Sequence, residues 1–212
     1  MIIGIIYKVI LFFPLIKSFI LSRKRIFSAQ NYIFIYLLVT TINEWVSFTR
    51  NVINPDVKVG LQYNFYFIFC IIFFYFFYSK IFTAKLNIIS SVVTISTLIY
   101  IIFSTDLFKQ EFDKRIGIVI TLFYIVNCLL WFYQKITLFD KNKITDDPVF
   151  WISTALLMWS CFFIFRVTPM FFFAKSDNEF LQFLKTGQNI INIIMYSMFY
   201  ISLTKYKKKL NR

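Results

Sequence analysis

Residues 63–82 read YNFYFIFCIIFFYFFYSKIF, with Lys80 as the one charge, and no other stretch of the chain is so aromatic. A run of this length is what an α-helix needs to cross hydrocarbon, roughly 20 apolar residues at 1.5 Å each. It does not alternate apolar with polar side chains, as a membrane β-strand does, and it is too long for one. A helix also satisfies its own backbone where no water is present to do so.

Working outward, six further runs have the same character: 2–21, 32–49, 88–104, 116–134, 149–170 and 188–204. The connections are short, and neither a linker nor a repeat is evident, so residues 1–212 form one integral membrane domain. The predicted fold is all-α, a polytopic bundle of about seven transmembrane helices. Composition agrees. Charged residues are 16%, below the roughly 25% of soluble domains. Arg23-Lys24-Arg25 follow the first run instead of preceding it, so this run reads as an uncleaved span and not as a signal peptide.

The net charge of +13 is not gathered on one face, as a nucleic-acid surface needs, but sits in short segments between the runs. With the N-terminus outside, fourteen basic residues fall in cytoplasmic segments and seven in outer ones. This bias predicts an outer N-terminus and an inner C-terminus. The tail Lys205-Tyr206-Lys207-Lys208-Lys209 then reads as a stop-transfer anchor.

The chain has no histidine, and its cysteines, Cys70, Cys128 and Cys161, lie singly in apolar runs. That removes the commonest metal ligand and general base, and any Ser-His or Cys-His pair. The expectation is therefore no catalytic residue, no metal, no cofactor and no enzyme activity. Asp140 to Pro148 holds the cytoplasmic acid cluster. Two acids there could hold Mg²⁺, but Asp147 before Pro148 reads better as a helix cap with proline at the first helical position.

Ionisable groups inside spans cost about 2.5–3.5 kcal/mol each and are candidates for function. Lys8 lies within the first span, but the two that stand out are Glu44 and Arg166. Glu44 is about 18 Å from the inner end of the second span and Arg166 about 25 Å from that of the sixth, at 1.5 Å per residue. Both fall in the outer half, and Arg166 has the reach to snorkel outward or extend to a carboxylate. Asn43, Asn64, Gln188, Asn189 and Asn192 lie at a similar level. Together these seven residues form a predicted outward-facing polar cup for a small ligand or partner helix. The competing reading is interhelical hydrogen bonding, worth about 0.6 kcal/mol per contact. Ser90, Thr94 and Thr97 read as a packing stripe, and Asn127 as bonded to a neighbouring helix. Pro14 and Pro169 can kink or end helices, and Pro169 is expected to end the sixth.

Asp147-Pro148-Val149-Phe150-Trp151-Ile152-Ser153, followed by Leu156, Leu157 and Trp159, resembles the start of the sixth helix in a group of bacterial seven-helix integral membrane proteins. Glu44 and Tyr63-Asn64-Phe65-Tyr66 match that group's acid on the second helix and its Tyr-Asn-x-Tyr opening of the third. The chain departs from the pattern at Ser160-Cys161-Phe162, where a glycine is expected. Such bundles are similar to the sensory membrane portions of some histidine kinases. The resemblance implies a bacterial cytoplasmic membrane and a sensory or signalling module with a separate cytoplasmic partner. A small transporter or channel component, and a lipid-acting membrane enzyme, are the alternatives.

Overall fold

The computed structural model describes the backbone of residues 2–23, 29–54, 58–108, 110–138, 143–173 and 178–210. Side chains are described for 3–23, 33–54, 58–108, 110–138, 143–167 and 179–207. Within these residues there are seven α-helices, one short 3-10 turn and no strand. The helices are α1 (Ile2–Ser22), α2 (Ala29–Ile53), α3 (Gly60–Ser79), α4 (Ala84–Ser104), α5 (Lys114–Thr137), α6 (Pro148–Phe173) and α7 (Asn178–Leu210). Five of them, α1 and α3 to α6, are long and apolar enough to cross a membrane. α2 and α7 have the length but carry the amides and charges that lower their hydropathy, and both pack among the other five. The result is a multi-pass membrane bundle.

Each helix packs on the next in sequence, and α7 returns to pack on α1, which closes a ring. α3 also touches α5 directly, so α4 lies outside this contact and leaves six helices around the centre. Below, the upper end is the one where α1 begins, and the lower end is the one where α7 finishes.

The lower half is filled. Phe74, Phe77, Tyr78, Trp131 and Phe199 are fully buried there, with rings such as Phe74 and Tyr124 meeting edge to face at 5.1 Å between centroids. In hydrocarbon, apolar burial provides little drive between helices, so close packing and interhelical hydrogen bonds set the geometry. Small residues allow that approach. The Ser90, Thr94 and Thr97 stripe of α4 is buried, and Ser90 donates to the Asn127 Oδ1 of α5 at 2.6 Å.

Polar side chains also fix the ends. Gln134 of α5 accepts from the Thr83 backbone N–H at 2.9 Å and donates to the Ile81 carbonyl at 3.0 Å. It thereby holds the α3–α4 turn. Gln134→Leu is expected to strand both backbone groups and cost about 1–3 kcal/mol, read as a lower melting temperature in detergent.

Of the acidic loop, Asp140, Lys141 and Asn142 lie outside the described residues. Asp147 accepts from the Val149 N–H at 2.9 Å, and Pro148 opens α6. Asp147 also pairs with Lys135 at 2.6 Å and Asp146 with Lys205 at 2.7 Å. The two carboxylates are thus directed to different lysines. No metal-holding group of three His, Cys, Asp or Glu side chains occurs among the described residues.

Two sequence expectations are corrected. Pro169 does not end the sixth helix, since α6 continues to Phe173; proline removes one backbone bond without forcing the chain out of helical angles. The seventh helix begins at Asn178, not at Gln188. Its first turns carry Glu179 and Lys185, which an apolar-run reading leaves out of a span but which are good helix formers.

Candidate functional site

α1 and α2 each bring one charge into the upper half of the bundle. Lys8 lies six residues into α1, about 9 Å from its start at the standard rise. Glu44 lies nine residues before the end of α2, about 14 Å by the same rise. The two meet as an ion pair at 2.7 Å, their side chains only 10% and 11% exposed. Tyr7 donates to the same carboxylate oxygen, Oε2, and Lys8 Nζ donates to the Tyr7 hydroxyl. The other oxygen, Oε1, is 3.3 Å from the Tyr63 hydroxyl, which is also 3.4 Å from Ser47 Oγ. Glu44 is therefore engaged on both sides, and its cluster ties α1, α2 and α3 together.

This cluster forms one wall of a cavity of about 430 Å³ inside the helix ring. All six ring helices contribute to the lining. Arg166, Gln188, Asn189 and Asn192 stand on the α6–α7 side, and the exposed Asn51 and Lys185 are at the mouth. Tyr36, Tyr66, Cys70, Tyr124 and Tyr196 lie deepest, directly above the filled half. On α6, Trp159 stacks on Phe163 with 4.6 Å between centroids and donates its indole N–H to Asn192 Oδ1 at 2.9 Å. Gln188 Nε2 donates to the same oxygen at 3.2 Å. The Gln188 Oε1, on a residue only 4% exposed, has no partner among the described residues.

Of the seven residues expected at the cup, Glu44, Arg166, Gln188, Asn189 and Asn192 line this cavity. Asn43 and Asn64 do not, although their depth is right. Asn43 Oδ1 and its backbone carbonyl accept from Gln62 Nε2 at 2.9 and 2.7 Å. Asn64 holds the α4–α5 loop, donating to the Leu107 carbonyl at 3.4 Å and accepting from the Asp113 N–H at 3.3 Å. Asn43 is thus joined to the side chain of Gln62, and Asn64 to the loop backbone.

Of the two courses open to Arg166, outward or toward a carboxylate, the pairing with Glu44 is not made. The carboxylate is taken by Lys8, and Arg166 forms no ion pair among the described residues. Its guanidinium is within electrostatic range of the Tyr7 and Tyr63 hydroxyls. Lys8 falls inside a span by sequence, and comparing its depth with that of Glu44 from the upper end is the signal that finds the partner. Tyr7 and Tyr63 carried no such signal in a chain with 13 tyrosines and 30 phenylalanines.

Protein-family models, curated proteins and solved structures give no match to this chain.

Proposed function

We propose that this membrane protein is a sensory module that takes a small ligand into a one-ended cavity and passes its occupancy to a separate protein on the cytoplasmic side. The observation that carries this reading is the floor of the cavity. A transporter site lies near the midplane between two access routes, commonly beside broken helices. Below Cys70 the ring instead holds fully buried Phe74, Phe77, Trp131 and Phe199, and α7 runs unbroken past the cavity from Gln188 to the lower end. There Lys205 pairs with Asp146, just ahead of α6. A shift of α7 on binding therefore reaches the lower loop, where a partner would read it. The resemblance of the Asp147–Trp151 segment to bacterial seven-helix membrane proteins, whose bundles are similar to the sensory portions of some histidine kinases, points the same way. This role attaches no reaction to the protein and places it in a bacterial cytoplasmic membrane, cavity outward.

Access tests the proposal. In a Cys128→Ser, Cys161→Ser background, a charged methanethiosulfonate reagent is applied separately to each face of sealed vesicles. Ser47→Cys, on the cavity wall, is expected to react quickly from the outer face only, and native Cys70 more slowly from that same face. Labelling of either position from both faces would establish alternating access and defeat the sensory reading.

A further inference from the structure

We propose that the cavity takes a small organic anion with an aromatic or apolar body, its charge held by Arg166 and Lys185 and its body by the tyrosine-lined floor. The inference rests on the reading of the cavity as a ligand site and adds the class of ligand.

Charge decides the sign. The lining carries three cations, Lys8, Arg166 and Lys185, against one carboxylate, Glu44. Lys8 is already matched to Glu44 at 2.7 Å. Among the described residues Arg166 and Lys185 form no ion pair, so the open charge of the described lining is positive. A guanidinium inside a membrane protein is costly unless it meets a counter-charge or water, and its planar fork suits the two oxygens of a carboxylate or phosphate. A cationic ligand would meet repulsion from both side chains and would find Glu44 occupied.

Polar and apolar contacts decide the rest. The unpartnered Oε1 of Gln188 is buried on the cavity wall, and an acceptor in that state asks for an O–H or N–H on the bound molecule. Deeper in, the lining is ring faces and edges from Tyr36, Tyr66, Tyr124 and Trp159, which suits a flat apolar body. The volume of about 430 Å³ falls within the roughly 300–1,000 Å³ of small-molecule sites. It admits a free organic anion, or the headgroup of an anionic lipid, but not a whole two-chain lipid.

The test uses protein in phosphatidylcholine nanodiscs and three probes of one shape: 4-nitrobenzoate, 4-nitrobenzamide and 4-nitrobenzylammonium. Binding is followed by equilibrium dialysis and absorbance. The anion is expected to bind about tenfold or more tightly than the amide, and the ammonium most weakly. Lys185→Gln, at an exposed position, is expected to lower anion affinity severalfold without changing that of the amide. Arg166→Gln is expected to do the same more strongly. A second arm repeats the measurement in discs containing phosphatidylglycerol. Loss of both 4-nitrobenzoate and 4-nitrobenzamide binding there assigns the site to an anionic lipid headgroup; retention of both at high salt, where repulsion by the disc surface is screened, assigns it to a water-borne anion.

Equal affinity for benzoate and amide, preference for the ammonium, or no binding of any probe overturns the inference. One-sided labelling at Ser47→Cys together with any of those outcomes leaves the sensory cavity standing and removes only the ligand class. Two-sided labelling with retained anion preference does the reverse.

Discussion

Lys8→Met is expected to lower the stability of the bundle by about 3–5 kcal/mol, the cost of leaving one member of a buried ion pair without the other. Glu44 would keep Tyr7 and Tyr63 as hydrogen-bond donors but lose its counter-charge. Glu44→Leu is expected to cost less, because the long side chain of Lys8, near the start of α1, can extend toward the upper surface, whereas a glutamate at the depth of Glu44 is too short to do so. The double variant Lys8→Met with Glu44→Leu is expected to recover most of the loss, since two apolar residues replace a pair whose attraction largely repays its own desolvation. Thermal melting of the four proteins closes a double-mutant cycle. Simple addition of the two single losses would show that the pair is not coupled. Arg166→Leu serves as the contrast: it forms no ion pair with Glu44, so its cycle with Glu44→Leu is expected to be close to additive.

Gly60→Ala is expected to be of similar severity, for a steric reason. A methyl group there would stand 2.1 Å from the backbone carbon of Glu111 and from the backbone nitrogen of Phe112. Backbone cannot rotate aside, so the α4–α5 loop must lift from the start of α3. Lifting it breaks the bond from Gly60 N to the Gln110 carbonyl, 3.0 Å in the native fold, and pulls on the contacts that Asn64 makes to the same loop. The expected loss is about 3 kcal/mol, the upper part of the usual overpacking range, with new protease cleavage between residues 105 and 113. Gly187→Ala gives the comparison. Its added methyl meets the Phe162 ring tip at 2.6 Å, a side-chain atom that can move, so a smaller drop in melting temperature is expected. Equal effects of the two substitutions would show that the loop backbone is not rigidly seated.

The apolar runs were enough to read the number and order of the helices, because hydrocarbon demands one continuous segment per crossing. Helix ends were less legible. Glu179 and Lys185 look like loop residues by hydropathy, yet they favour helix once above the hydrocarbon, and α7 extends through them. The level of the polar residues was legible from their distance along each run, since rise per residue is fixed. Direction around the helix axis was not, because it depends on which neighbour each face meets. Asn64 and Gln188 share a level, but one turns to the α4–α5 loop and the other lines the cavity. Partner choice was hidden for the same reason: Glu44 had two cations at plausible depth, and only the contact of α1 with α2 selects Lys8.

The return of α7 onto α1 has a bearing on biogenesis. α1 leaves the ribosome well before α7, and the two share a seam, where Lys17 donates to Thr204 Oγ1 at 2.5 Å and lies over the Tyr200 ring at 3.9 Å. Contacts so distant in sequence form late. The Lys8–Glu44 pair belongs to the first two helices and is complete early, so that hairpin can enter the bilayer with its charges matched. Arg166 gains its amide-bearing neighbours only with α7, and until then the growing chain is an open trough with polar walls facing lipid. Synthesis halted before α7 leaves that trough as its product, and it is the species a membrane quality-control protease would meet.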